Sequence, residues 1–158
     1  AGDDQGRSGY LAELKAQIAD AGLEGDVRLV GHCADVPAAL SLSSLSVVAS
    51  IEPEAFGRAA VEAQAACVPV IVSDLGAVPE TVLAPPEVPE DARTGWRVPP
   101  GDAAALAGAI AGVLALAPDA RAALVERAQG HVARHFTVEA MCASTLEAYA
   151  GLLGRRAE

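Results

Sequence analysis

Glu54 and Glu62 stand eight positions apart with Gly57 between them, in the stretch S-I-E-P-E-A-F-G-R-A-A-V-E-A-Q-A-A-C-V-P-V-I-V-S-D that runs from Ser50 to Asp74. These residue types could together bind an anion flanked by hydroxyl groups. A glycine lets a ligand approach the backbone closely, and the free N–H groups and positive dipole end of a helix starting there favour a phosphate. Glu54 can accept hydrogen bonds from the hydroxyls of a polyol or sugar, and Glu62 from a vicinal diol such as a ribose. A nucleoside diphosphate sugar has that layout, with phosphate between two hydroxylated ends. Taken alone, Glu54 reads also as a solvated loop acid, and Glu62 as an exposed carboxylate near a helix N-terminus, where negative charge is favoured. Arg58 opposes the positive helix end, which points either to a nearby anion or to a plain surface arginine.

The elements around these residues must bring them to one crevice. Residues 45–50 form a short apolar run suited to a strand buried on both faces of a parallel sheet. A loop then carries Glu54, a helix runs from Gly57 to about Ala66, and a second strand covers residues 70–73. Upstream, Leu11, Leu14 and Ile18 recur at helical spacing over residues 8–21, with Gly22 as the stop. Residues 27–30 read as a strand with 31–34 as its exit loop, and Asp35 caps a short helix that admits Pro37 in its first turn and ends by Ser43 and Ser44.

Downstream, residues 76–82 form a loop and a single helical turn. The acidic stretch 84–93, with Pro85, Pro86 and Pro89, reads as an exposed loop, and residues 94–98 as a final strand. Asp102 caps a helix whose Leu106, Ile110, Val113 and Leu114 share a face; Pro118 opens another with Leu124, Ala128 and Val132 on one face. Thr137 caps the last, with Val138, Met141, Thr145, Tyr149 and Leu152 or Leu153 in register. Residues 1–7 read as frayed. Strands alternating with helices predict an α/β fold: a doubly wound, Rossmann-like parallel sheet flanked by helices, with a helical C-terminal tail. In such a sheet the ligand crevice lies beyond the carboxyl ends of the strands, where loops 31–34, 52–56 and 74–79 and the helix start at Gly57 all fall.

At 158 residues the chain suits one domain with a real core, and 52% apolar against 3% aromatic content makes that core small-residue and aliphatic. A net charge of −10 excludes nucleic acid as a partner, since its footprint needs clustered Lys and Arg. No apolar run approaches the roughly 20 residues that span a bilayer, and no basic-then-apolar leader is present, so the domain reads as soluble. Cys33, Cys67 and Cys142, odd in number and widely spaced, fit reduced thiols in a cytoplasmic compartment and read as small buried hydrophobes. His131 and His135 have the spacing of a metal pair but no third ligand, and read as surface helix residues. His32 occupies a crevice loop, facing solvent or ligand. Asp74 caps or shapes its own loop, and Glu80 begins the short helix after Pro79.

The block Glu54-Ala55-Phe56-Gly57-Arg58-Ala59-Ala60-Val61-Glu62-Ala63, continued by residues 68–74, 76–80 and 94–102, resembles the donor half of retaining glycosyltransferases with two Rossmann-like domains, the GT-B fold of the glycosyl transferases group 1 family with its Glu-x7-Glu motif. Residues 27–36, with Gly31 and Asp35-Val36, also match, so the resemblance covers nearly the whole chain. It implies that Glu54 is the catalytic position, contacting and placing the donor sugar, and that Glu62 binds the ribose. Backbone amides at Phe56, Gly57 and Arg58, with Ala55 in the same loop, would meet sugar or diphosphate oxygens. Main-chain groups around His32 and Cys33 would line the base pocket. The donor would be UDP- or GDP-linked, with no cofactor and no metal required. The sugar would be transferred with retention through an oxocarbenium-like transition state, the protein stabilising the departing nucleoside diphosphate electrostatically.

The same resemblance implies parts lying upstream of Ala1: the Arg and Lys that clamp the diphosphate, a strand just before Ala1, and the N-terminal acceptor domain. Residues 1–158 are therefore expected to be one donor-binding domain of a larger enzyme, inactive alone, cytoplasmic, and brought to the inner membrane face through the acceptor domain. Cys67 stands where the family has glycine, which predicts a slightly altered turn. Stretch 84–93 is longer than the family's connection. The last helix is expected to expose apolar surface, because in the family the chain end crosses back to the acceptor domain; with an edge strand missing, this favours self-association. Two rival readings are a nucleotide-sugar epimerase of the same architecture, which would use extra acids and histidines near the sugar, and a non-catalytic α/β binding module. Against the latter stand both glutamates; for it stands the missing clamp.

Overall fold

The computed structural model describes residues 8–154, so the stretch 1–7 lies outside the described residues. The chain divides into two compact units, Ala1–Ala39 and Leu40–Glu158, each described by itself.

In the first unit, α1 (Ser8–Asp20) places Leu11, Leu14 and Ile18 half-buried on one side. Gly22 ends it in the left-handed region at φ 65°. Its N–H donates to the Ala19 carbonyl at 3.0 Å and that of Leu23 to Ile18 at 2.9 Å, the paired bonds of a Schellman ending. Helix α2 (Val36–Ser41) is capped as expected, the Asp35 Oδ1 accepting from the Ala38 N–H at 3.0 Å. The strand expected over residues 27–30 does not form, and Val30 is 65% exposed. A β-branched run becomes a strand only when a neighbour supplies the ladder, and no segment among the described residues pairs with it.

The second unit is built on β1 (Ser46–Val48), β2 (Val70–Ser73) and β3 (Trp96–Val98), parallel and in the order β1-β2-β3. Val47 pairs with Ile71, and Ile71 in turn with Trp96. Around the sheet lie α3 (Arg58–Ala65), α4 (Val78–Thr81), a 3-10 turn at Glu90–Ala92, α5 (Ala103–Leu114), α6 (Pro118–His135) and α7 (Val138–Leu152). All four residues of β2 are buried, and alternation along the strand sends them to two cores. Val70 and Val72 join Ala60 and Ala63 of α3 with Val68, Val78 and Val82. Ile71 points the other way, to Val98 and Val113, with Leu106 and Ile110 of α5 packed beside them. The expected α/β architecture with helices on both sheet faces is thus present. Small residues set its spacing: a Cβ on Gly95 would stand 2.7 Å from Val82 Cγ1 and 2.9 Å from the Val70 carbonyl oxygen.

Several local expectations change. The first strand is shorter than residues 45–50, and Val47 is 42% exposed, because β1 has a neighbour on one side only among the described residues. Leu114 turns outward, one residue and about 100° past buried Val113. Stretch 84–93 begins inside rather than outside: Ala84 is buried, and Leu83 and Thr94 clasp the base through Leu83 N to Thr94 Oγ1 and Thr94 N to the Leu83 carbonyl, both 2.9 Å. The cysteines are free thiols but not buried ones; Cys67 and Cys142 are exposed and Cys33 half-buried. Asp102 and Thr137 cap α5 and α7 through Ala105 and Ala140. Helix α7 buries no residue, leaving Val138, Met141, Leu146, Tyr149 and Leu152 exposed. Among the described residues no single helix is long and apolar enough to cross a membrane.

Cys67 does not alter its turn. It takes φ 57°, its N–H donates to Gln64 at 3.1 Å, and Val68 donates to Ala63 at 2.9 Å, the ending Gly22 makes for α1. The buried Pro69-Val70 that follows fixes the exit direction, so the side chain bears the strain. Cys67→Gly is expected to raise stability by about 0.5–1 kcal/mol. Urea unfolding checks this, and a variant no more stable than the parent would show the turn to be unstrained.

Candidate functional site

The chain leaves β1 through residues 49–57, and Glu54 is fixed there from three sides. Ser50 Oγ donates to Glu54 Oε1. Its other carboxylate oxygen lies toward Gly57, since a Cβ on that glycine would come within 3.9 Å of Glu54 Oε2 and 3.4 Å of Thr81 Oγ1. The Glu54 main chain is gripped by the loop after β2: Ala77 N–H donates to the Glu54 carbonyl at 3.0 Å. Gly76 lies so close that a Cβ there would sit 2.5 Å from Glu54 O and 2.8 Å from Glu54 N.

Gly57 is buried, adopts φ 77°, ψ 45° and precedes α3 with no side chain capping the helix N-terminus. Ala60 and Val61 donate to its carbonyl at 3.0 and 3.3 Å. Phe56 is 44% exposed, and Ala55 beside it is exposed. Half-buried Glu62 accepts from Arg58 Nε at 2.6 Å, one turn away, and the arginine side chain is 87% exposed. The anion facing Arg58 is therefore Glu62 itself. An exposed pair with the cation on the N-terminal side is the weaker helix orientation, worth only about 0.3 kcal/mol, so Arg58 can leave it at small cost.

The loop after β2 has an anchor that sequence reasoning missed. Arg97, in the middle of β3, has a side chain only 3% exposed; it pairs with Asp74 at 3.6 Å and with Glu87, and donates to the carbonyls of Ala84 and Pro85 at 3.3 and 3.5 Å. Asp74 shapes its loop through that pair, and through its N–H to the Val98 carbonyl at 2.8 Å. The signal available in the sequence was a lone arginine inside an apolar strand beside an acidic loop. Glu80 lies on α4, and its carbonyl oxygen is 3.3 Å from His131 Nε2. His131 is buried, not a surface residue, and burial holds its pKa below the ordinary value. His135 is exposed, with its ring 5.0 Å from that of His131. Among the described residues no group of three or more His, Cys, Asp or Glu is arranged to hold a metal ion. On the α5 side of the strand ends a cleft of about 150 Å³ is lined by Ile51, Ser73, Pro99, Asp102 and Leu106.

Glu54, Ala55, Phe56, Gly57, Arg58 and Glu62 thus form one continuous loop and helix start in the second unit. His32 and Cys33 lie in the first unit, His32 exposed and Cys33 donating its thiol to the Asp35 carbonyl at 3.3 Å.

The family profile described as Glycosyl transferases group 1 matches residues 5–131. The chain belongs to that family. Among solved structures of glycosyltransferases, one from Rickettsia africae is 31% identical with a TM-score of 0.85, covering 96% of this chain and 38% of its own. HepE from Anabaena, crystallised with UDP and glucose, is 28% identical with a TM-score of 0.82, covering 95% of this chain and 39% of its own. Sucrose-phosphate synthase from Thermosynechococcus elongatus is 32% identical with a TM-score of 0.76, covering 90% of this chain and 34% of its own. This group 1 chain therefore spans under two-fifths of the length of each, and its sheet and C-terminal helices are those of the C-terminal half of the GT-B fold. No curated protein matches it significantly.

Proposed function

We propose that this chain is the nucleotide-sugar donor-binding half of a retaining glycosyltransferase, which moves a sugar from a UDP- or GDP-linked donor to an acceptor held by a further domain. The observation that supports it most is the arrangement of Glu54 beside an uncapped helix start that carries Glu62 one turn further on. Glu54, oriented by Ser50, accepts hydrogen bonds from the sugar hydroxyls and sets the anomeric carbon for attack. The N-terminus of α3 meets the diphosphate, and its dipole stabilises the negative charge that grows on the leaving group. Arg58 exchanges its weak bond to Glu62 for a phosphate oxygen, which frees the Glu62 carboxylate for the ribose diol. No metal is needed for this division of labour. HepE, bound to UDP and glucose, supports a uridine donor as the first to test.

Titrating UDP, GDP and ADP separately into the protein while following backbone amides by NMR tests the reading. Shifts at Glu54 and Glu62 with at least one of the three are expected. Silence at millimolar ligand would remove the donor-binding proposal. Glu62→Ala should weaken the bound nucleotide about 10- to 100-fold, since a hydrogen bond to a charged acceptor is worth about 1.5–3 kcal/mol; an unchanged affinity would sink the ribose assignment.

A further inference from the structure

Phe136 is the C-cap of α6, its N–H closing that helix on the Val132 carbonyl at 2.9 Å. Its ring stands edge-on to that of Phe56, centroids 5.5 Å apart at 74°. On another side it stands edge-on to buried His131, at 5.3 Å and 82°. His131 in turn reaches the Glu80 carbonyl on α4, and α4 supplies the Thr81 and Val78 side chains that lie beside Gly57, 3.4 and 3.6 Å from where a Cβ on it would stand. Both walls of the Glu54–Gly57 segment, its own Phe56 and the neighbouring α4, therefore rest on the C-terminal turn of α6. Helix α6 lies some 75 residues along the chain and carries none of the groups assigned to the donor.

We infer that Phe136, seated on His131, is a positioning residue for the donor loop: through Phe56 it sets where the amides of Phe56, Gly57 and Arg58 point. Phe56 is 44% exposed, so its own burial holds it weakly and the ring contact decides its place. A loop amide aimed at a diphosphate loses strength steeply with misalignment, which is where displacement of Phe56 is felt. This inference rests on the donor-binding reading for its consequence, but the holding of the loop can be measured without any ligand.

The test uses the full chain and the variants Phe136→Leu, Phe136→Tyr and Phe56→Leu. Without ligand, Phe136→Leu is expected to speed amide hydrogen exchange at Ala60, Val61 and Ala77, whose N–H groups are bonded to the Gly57 and Glu54 carbonyls, about fivefold, the factor an aromatic pair of this geometry supports, while β2 amides stay unchanged. With UDP-glucose as the probe, affinity should fall about fivefold in Phe136→Leu and Phe56→Leu, uridine should be unaffected, and Phe136→Tyr should restore the parent value. A double variant Phe56→Leu/Phe136→Leu no weaker than either single one is expected for residues acting through one contact. Exchange at Ala60, Val61 and Ala77 that does not change in Phe136→Leu, or a loss shared equally by uridine and UDP-glucose, overturns the inference. Absence of UDP-glucose and GDP-mannose binding by the parent chain would instead bring down the donor reading, and the positioning role with it. Phe56→Leu, on an exposed loop, keeps the test decisive if Phe136→Leu does not fold.

Discussion

Gly76→Ala should lower stability by about 3 kcal/mol and displace the segment that carries Glu54. Two costs add. The position has φ 66°, where a side chain costs about 1 kcal/mol, and the new methyl would lie 2.5 Å from a backbone oxygen that cannot rotate away. Relief requires the Glu54 main chain to move, which breaks the Ala77 to Glu54 hydrogen bond. Gly101→Ala is the control, because Gly101 has φ 76° but open space around its Cβ position, and should lose only about 1 kcal/mol. Urea unfolding of both, with amide shifts at residues 50–57, measures the difference. Equal losses would mean that the close approach has no energetic weight.

Glu54→Ala should weaken UDP-glucose about 10- to 100-fold while leaving UDP within about twofold, since hydrogen bonds to a charged acceptor are worth about 1.5–3 kcal/mol. The contrast with Glu62→Ala carries the information: loss of Glu62 should weaken UDP and UDP-glucose alike, because both hold the ribose. Calorimetry with the two ligands on the two variants separates the sugar end from the ribose end. If Glu54→Ala weakened both ligands equally, Glu54 would belong to the diphosphate or to loop structure rather than to the sugar.

The βαβ core was legible from local signals. Strand β2 and the caps at Asp35, Asp102 and Thr137 fall where expected, because an apolar run between glycine, proline and acid punctuation leaves the backbone few choices. What required the third dimension is of a different kind. Residues 27–30 have the composition of a strand, yet pairing is a property of two segments. Val47, Leu114 and Ala84 changed environment according to which neighbours they met. His131 looked like a surface residue because its partners, the Glu80 carbonyl and Phe136, lie on separate elements. Glu54 and Glu62 could be proposed as a site from spacing, but not that Ser50 and Arg58 already occupy one oxygen of each. Cys67 was expected to change a turn by side-chain preference, whereas the packing of the buried strand after it imposed the left-handed backbone regardless.

Trp96, the single tryptophan of the chain, faces the core between β3 and α5, and the Arg93 guanidinium lies 4.8 Å over its ring. Its emission is therefore a native optical gauge of one sheet face and of the 84–93 stretch at once. Withdrawal of Arg93 would alter the intensity while the sheet stays intact, whereas opening of the α5 layer would shift the spectrum to the red. Two signals from one residue can thus separate a loop movement from loss of the core, with no label attached near the proposed donor site.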